Sequence, residues 1–408
     1  MDINPQTRPE DVGLSSARLE RIEGWMRGWV DSGRLPFLTV LVARHGQVAW
    51  QRCLGMADVE RRLPVAPETI ARIYSMTKPL TTVAAMMLYE EGRFQLDDPI
   101  SRFIPAFREP RVASGGAMWG KLNSVPAARE ITFRDLMTQT SGLTYWFMEA
   151  SPVDAAYRAA GIDLNNTDQT LEEIVNRIAA IPLLAQPGSE WSYSVSTDVL
   201  GHLVAVVSGR PFDEFLSERV LGPLGMANTD FFVPAQKASR FAACYGPSKE
   251  GGITRTDDPA NSRFLHAPSA PSGGGGLVGT AGDYMRFCRF MLNKGELDGV
   301  RLLGRKTIEL MTTNHLGGDM ASMGQPNFNE STFEGVGFGL GFSVMLDPAR
   351  AQILGTPGEY GWGGAASTGF WCDPAEDMAV VLLTQLVPSS TYPIRRELRV
   401  LTYAAIER

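Results

Sequence analysis

Strand-like sequence in this chain lies near its two ends. "FLTVLVAR" (37–44) and "QVAWQRCLG" (47–55) are β-branched and apolar runs on either side of His45-Gly46, which reads as a hairpin turn. From about residue 336 such runs return as "GFGLGFSVML", "YGWGGAAS", "TGFWCDP" and "MAVVLLTQL". Helical patterns frame both groups. In residues 15–31, Leu19, Ile22, Trp25, Met26, Trp29 and Val30 recur at helical spacing, and "PIRRELRVLTYAAIER" closes the chain. Between about 80 and 290 the pattern is mostly helix and loop, punctuated by Pro and Gly. Few of the strands are separated by a crossover helix, so a parallel sheet is disfavoured. The expected fold is α+β: one antiparallel sheet built from both ends and flanked by the N- and C-terminal helices, plus a helical domain. The expected boundaries are a discontinuous α/β domain, residues 1–74 and 285–408, and a mostly helical domain, residues 75–284, with the site in the cleft between them. A chain of 408 residues is too long for one simple core, in keeping with that division.

Charge and cysteine usage narrow the function classes. The net charge is -7, so a basic face for nucleic acid or anionic lipid is not expected. No run of 18 apolar residues occurs, and the start, "MDINPQTRPEDVGLSS", has no apolar signal-peptide core. Cys53, Cys244, Cys288 and Cys372 are scattered, with no Cys-x-x-Cys pair, and read as reduced, buried thiols. His45, His202, His266 and His315 form no pair with metal-ligand spacing. A cytoplasmic protein without metal, cofactor, nucleic-acid or membrane partner is the expectation; the oligomeric state is open.

Chemistry concentrates first in "ARIYSMTKPLTTVAAMMLYEEG" (71–92), which reads as an amphipathic helix beginning at or close to Ser75. Pro79 fits the first turn, where its missing N–H has no partner to lose. Leu80, Val83, Ala84, Met87 and Leu88 form the anchoring stripe. Residues i and i+3 share a helix face, which places Lys78 beside Ser75. A serine hydroxyl needs a neighbouring base to become a nucleophile, and a lysine in a dry cleft is a candidate for that base. The helix N-terminus favours negative charge at Ser75. The competing reading is a capping serine and a solvated lysine. Lysine is rare here, however: it occurs as Lys78, Lys121, Lys237, Lys249, Lys294 and Lys306, and only Lys78 follows a serine by three.

Two further fragments add to it. In "QPGSEWSYSVSTDVLGHLV" (186–204), Tyr193 lies in a loop leading into an apolar helix. A phenol can carry a proton between a serine and a leaving group; the alternative is a packed ring with its hydroxyl satisfied. In "YGWGGAASTGFW" (360–371), Gly363-Gly364 leave a bare strand edge that a substrate can approach, or mark a bulge. An N–H from such an edge can pair with that of a nucleophile as an oxyanion hole.

Together and in this order, these fragments resemble the serine β-lactamase and penicillin-binding-protein superfamily, and within it the class C β-lactamase-like carboxylesterases called family VIII. The likeness runs along nearly the whole chain: "SMTKPLTTVAAMMLYEEGRFQLDDPISRFIP", "LMTQTSGLTY", "PGSEWSYS", "VLGPLGMANTDFF", "GGGGLVGTAGDYMRF" and "GWGGAASTGFWCDP" look like its blocks. The resemblance implies a β-lactamase/DD-peptidase-like fold, with Ser75 as acylated nucleophile and Lys78 and Tyr193 as a coupled base and proton shuttle. Trp362-Gly363-Gly364 stands where the lactamases have Lys-Thr-Gly, and the oxyanion hole would be the N–H groups of Ser75 and Ala365. Three departures matter. Tyr-x-Asn is replaced by Tyr193-Ser194-Val195; Gln139 occupies a usual histidine position and reads as structural; and Trp362 removes a cation that would hold a β-lactam carboxylate. An indole there suits a neutral ester better than an anion.

The implied function is a serine carboxylesterase acting on small, short-acyl esters through an acyl-enzyme, with a small-molecule ester as its only partner. Trp119, Tyr145, Trp146 and Phe147 are candidate pocket residues, although aromatic residues also serve cores. Acyl transfer to an alcohol, weak β-lactam hydrolysis and a penicillin sensor that is acylated only once remain alternatives. Three rival motifs carry less. "GGAMWGKL" (115–122) nearly matches a phosphate-binding loop, but Leu122 replaces the magnesium-binding hydroxyl. "GGGLVG" (274–279) fits a dinucleotide fingerprint without a strand before it. "AASTG" (365–369) imitates a nucleophile elbow around Ser367 but lacks its first glycine.

Overall fold

The computed structural model describes residues 5–118, 121–164, 166–324 and 332–408. The N-terminal hairpin forms as its sequence predicts: β1 (Phe37–Arg44) and β2 (Gln47–Asp58) pair antiparallel around His45-Gly46. A short β3 (Leu63–Pro64) follows β2. The C-terminal strands are β4 (Val336–Phe338), β5 (Ser343–Met345), β6 (Tyr360–Gly363), β7 (Gly369–Asp373) and β8 (Met378–Leu383). They join the hairpin in one eight-stranded sheet, ordered β4-β5-β6-β7-β8-β1-β2-β3. The seam is β1 against β8, with Thr39 opposite Leu383 and Arg44 opposite Met378. The two ends of the chain thus complete one sheet.

Every residue of β1 is buried, because both faces of the sheet are covered. Leu38, Val40 and Val42 point to the side of α1 (Ser16–Asp31) and α5 (Ile394–Tyr403), where they meet Leu19, Ile22, Met26 and Leu398. Leu41 and Ala43 point the other way, into the core that holds Phe287, Cys288 and Met291 of α4 (Ala281–Leu292). Two covered faces turn the usual alternation of an antiparallel strand into a continuous apolar run. Each such Val or Leu side chain contributes about 1.5–3 kcal/mol by leaving water. Trp25 and Trp29, one turn apart on α1, both donate their indole N–H to Glu397 of α5, at 2.6 and 3.0 Å, locking the terminal helices together.

The middle of the chain departs from the expected helix and loop at three places. Arg111–Met118 pairs with Lys121–Pro126, Cys244–Pro247 with Ile253–Asp257, and Ala71–Arg72 with Val278–Gly279. The first two are hairpins outside the main sheet, so they lack the buried-face alternation by which strands are read. The described parts of "GGAMWGKL", Gly115 to Met118 and Lys121-Leu122, belong to two paired strands with no helix following, which removes the phosphate-loop reading. Helix α4 crosses the expected boundary at 284/285 and packs whole on the sheet. Among the described residues no helix is long and apolar enough to cross a membrane.

Helix α2 (Thr77–Glu90) is buried on every side from Thr77 to Leu88, not along one stripe. The correction has a local cause. Off the stripe, Met86 and Ala85 are apolar, Lys78 is bonded inside the site, and the threonine hydroxyls bond backbone carbonyls: Thr81 to Gly273 at 2.8 Å and Thr82 to Lys78 at 2.9 Å. Helix α3 (Ser196–Ser208) packs alongside it. α2 is therefore the axis of the helical lobe, and its N-terminus points at the edge of the sheet.

Candidate active site

The approach to Ser75 is held rigidly. Arg72, fully buried, donates to Asp257 Oδ2 at 2.8 Å, to the Ala242 carbonyl at 2.7 Å and to Gln385 Oε1 at 3.2 Å. Tyr74 adopts a left-handed backbone with φ of 44°, a conformation costing a bulky residue about 1–3 kcal/mol and persisting only where its surroundings impose it. Ser75 follows in a tight turn, Tyr74–Met76, that runs straight into α2. Tyr284 donates to the Met76 carbonyl at 2.8 Å, and Leu277 N–H donates to Thr77 Oγ1 at 3.1 Å. The turn is thus pinned from both sides, with Ser75 half-buried at its apex.

Lys78 is 1% exposed, so it is not the solvated lysine of the competing reading. Its Nζ donates to Ser75 Oγ at 3.5 Å, to Tyr145 Oη at 3.0 Å and to the Gly274 carbonyl at 2.8 Å. It also lies 4.3 Å from the centre of the Tyr193 ring, in cation–π range. Gly274 is required by this crowding: a Cβ there would lie 2.5 Å from Asp198 Oδ2 and 2.8 Å from Tyr145 Oη. In "GGGLVG", Gly274 thus packs around Lys78, while Gly276 and Gly279 lie against Phe231 and Thr229, which leaves no nucleotide cradle.

Tyr193 is 4% exposed and sits in a loop clamped by Gln139. Gln139 Oε1 accepts from Ser194 N–H and Ser194 Oγ, each at 3.0 Å, its backbone carbonyl accepts from Ser192 N–H at 2.8 Å, and its Nε2 donates to Thr197 Oγ1 at 3.0 Å. The side chain read as structural at this position is a clamp on the Tyr193 loop. From the sheet, Trp362 Nε1 donates to Tyr193 Oη at 3.4 Å, with ring centres 5.6 Å apart.

The strand edge closes the arrangement. Trp362 and Gly363 end β6, and Gly364 and Ala365 begin the turn to β7. A Cβ on Gly364 would collide with the Ile73 carbonyl, so this edge lies directly on the turn that carries Ser75. Ala365 is exposed beside it. Ser367, by contrast, is 2% exposed, and its Oγ is engaged with the Leu386 carbonyl at 2.7 Å.

Of the expected pocket residues, Trp119 lies outside the described residues. Trp146 and Phe147 pack against the Tyr145 ring, with centres 5.5 and 4.6 Å away, and Phe147 is 51% exposed. Tyr145 has a second position that sequence reasoning missed, since its hydroxyl reaches Lys78. Asp198 was also missed. It is 1% exposed, and its Oδ1 accepts from Ser272 Oγ at 2.5 Å and Gly274 N–H at 2.9 Å. Burial raises the Asp198 carboxyl above the usual range, opposed by the Lys78 charge. Burial, and then the Asp198 charge, pushes the Tyr145 phenol well above its ordinary value, so Tyr145 stays a neutral phenol. The available signal was a single acid inside the apolar stretch "STDVLGHLVAVV". Among the described residues no cluster of His, Cys, Asp or Glu could hold a metal ion. The chemistry at hand is a serine at a helix N-terminus, a buried amine and two phenols.

The chain resembles known proteins along most of its length. Residues 22–404 match the family described as Beta-lactamase. An uncharacterized protein of Mycobacterium tuberculosis is 35% identical over 365 residues, covering 88% of each chain. Esterase EstB of Burkholderia gladioli is 33% identical over 400 residues, 94% of this chain and 93% of its own. The solved structure of EstCE1, described as a hydrolase with promiscuous acyltransferase activity, superposes with a TM-score of 0.79 at 30% identity, covering 95% of this chain and 99% of that one.

Proposed function

Since the chain belongs to the Beta-lactamase family, within the serine β-lactamase and penicillin-binding-protein superfamily, and is a serine hydrolase, we propose that it is a carboxylesterase of the family VIII kind acting on small, neutral, short-acyl esters. The observation that carries this reading is the buried Lys78 amine between Ser75 Oγ and the two phenols. Ser75 Oγ attacks the ester carbonyl while its proton passes to the coupled Lys78/Tyr193 unit. The carbonyl electron pair moves onto oxygen, which the N–H groups of Ser75 and Ala365 stabilise. The C–O bond then breaks, and the alcohol leaves with the proton from the same unit. Water enters, gives its proton to that unit and releases the acid, restoring Ser75.

Rapid quench with p-nitrophenyl butyrate tests the intermediate. Peptide mapping is expected to show a butyryl group on the peptide containing Ser75 during steady-state turnover. Butyrylation elsewhere, or turnover with no acylated peptide, would remove the reading. An acyl group that stays on Ser75 without turnover would instead favour a sensor-like protein.

Trp362 argues for neutral substrates, because an indole occupies the cation's place at the end of β6 and is already engaged with Tyr193. Restoring the charge with Trp362→Lys is expected to raise kcat/KM for a chromogenic cephalosporin relative to p-nitrophenyl butyrate by about tenfold, the size of one partly screened charge pair. An unchanged ratio would show that this position does not select substrate charge. Acyl transfer is a second reading, favoured by the likeness to EstCE1, described as a hydrolase with promiscuous acyltransferase activity. Product analysis with added 1-butanol measures the partition.

Tyr145→Phe keeps the ring and deletes only the hydroxyl that accepts from Lys78. Losing the bond that orients the Lys78 amine costs about 0.5–1.5 kcal/mol, so kcat is expected to fall about two- to tenfold, with KM nearly constant. Steady-state kinetics decide it; an unchanged kcat would reduce Tyr145 to a packing residue.

A further inference from the structure

The second residue of α5, Arg395, reaches through the sheet edge to the turn that carries Ala365. Its Nη2 donates to the Gly364 carbonyl at 2.8 Å and to the Thr368 carbonyl at 2.7 Å, and its Nε donates to the Thr368 carbonyl at 3.0 Å. Gly364 N–H closes the turn onto that same Thr368 oxygen at 3.0 Å. The Gly364 carbonyl and the Ala365 N–H are opposite ends of one peptide group. A guanidinium bonded to the oxygen draws electron density toward it, which leaves the N–H at the far end a stronger donor. The same bonds fix the plane of the peptide, and with it the direction of the N–H.

The glycines of the edge open the way for this side chain. A Cβ on Gly363 would lie 2.7 Å from Arg395 Cζ, and one on Gly369, its partner across β6 and β7, 3.3 Å from Arg395 Nε. The sequence suggested that Gly363-Gly364 clear space for a substrate. At Gly363 the space is already taken by the guanidinium, from the face of the sheet that α5 covers.

We propose that Arg395 is a positioning residue for the reaction: its cation polarises and orients the Gly364–Ala365 peptide, so that the Ala365 N–H is an enhanced oxyanion donor. The proposal rests on the reading above that this N–H belongs to the oxyanion hole. The geometry requires that charge, not only shape, matters at this position. It also requires that the effect be felt where negative charge develops on the substrate oxygen, and not in ground-state binding.

The test compares Arg395→Lys, Arg395→Gln and Arg395→Met with the wild type in three measurements: kcat and KM for p-nitrophenyl butyrate, the inhibition constant of butylboronic acid, and Tm. Butylboronic acid forms a tetrahedral anionic adduct on a nucleophilic serine and needs no turnover. Losing an oxyanion donor outright costs about 10²–10³ in kcat, so weakening one is expected to cost about tenfold. The Met and Gln variants are expected to lose about that factor in kcat and in boronate affinity together, with KM within about twofold. The Lys variant, which keeps the cation, is expected to retain most of both. Equal losses in all three variants, or losses that follow Tm or KM instead of boronate affinity, would overturn the proposal in favour of a purely structural arginine. Normal kcat in the Met variant would overturn it outright. A wild type that neither turns over the ester nor binds the boronate would remove the esterase reading itself, and this inference with it.

Discussion

Ser75→Ala is expected to abolish turnover of p-nitrophenyl butyrate, lowering kcat by about 10⁴-fold or more, the scale seen when a serine hydrolase loses its nucleophile. The folded protein should hardly notice. Ser75 is half-buried, and among the described residues its hydroxyl makes only the long 3.5 Å contact with Lys78. Lys78 keeps its bonds to Tyr145 and Gly274 in the variant. The turn around residue 75 is held by neighbouring groups, through Tyr284 to the Met76 carbonyl and Leu277 to Thr77, and neither bond uses the serine side chain. Kinetics and a thermal melt on one preparation measure both effects. Activity equal to the wild type would sink the nucleophile assignment. Ser367 is then a poor successor, being buried and bonded to the Leu386 carbonyl.

Lys78→Met separates catalysis from stability more sharply. Methionine matches the lysine stem in length and removes the amine, leaving no group to take the Ser75 proton at that point. General-base catalysis contributes about 10²–10⁴-fold, and kcat is expected to fall by the upper part of that range. Two stability effects oppose each other. Removing a buried amine relieves its desolvation, whereas the Gly274 carbonyl and Tyr145 hydroxyl each lose a donor, at about 1–3 kcal/mol per unsatisfied group. The melting temperature should therefore move by a few degrees, while activity falls by orders of magnitude. Rapid mixing locates the loss: the acylation burst should disappear, not merely the steady state. A retained burst would transfer the acylation proton to Tyr193 alone and leave Lys78 a role in deacylation only.

How far these residues could be read in advance depended on separation along the chain. Ser75 and Lys78 were legible as a pair because three residues on a helix are neighbours by geometry alone. The hairpin around His45-Gly46 was legible for a similar reason, as were the terminal helices with their periodic faces. Gln139 could be suspected as structural, but its grip on Ser194 could not be seen, since 55 residues separate them. Tyr145 was read by its ring. Its hydroxyl meets Lys78 across 67 residues, a distance over which no local pattern reports. Asp198 lies 74 and 76 residues from Ser272 and Gly274, and Arg395 reaches the Gly364 carbonyl across 31, also beyond any local pattern.

By itself, then, the sequence determined the local elements, the sheet built from both ends and the serine–lysine pair at the start of α2. Those follow from spacing, periodicity and turn chemistry, which act within a few residues. Only the tertiary structure decided that α2 is buried on every side, that a second phenol and a carboxylate surround Lys78, and that a guanidinium from the last helix holds the edge at Ala365. Those are consequences of burial. Once water is excluded, each polar group must find a partner wherever the fold brings one, and the fold brings them from the far ends of the chain.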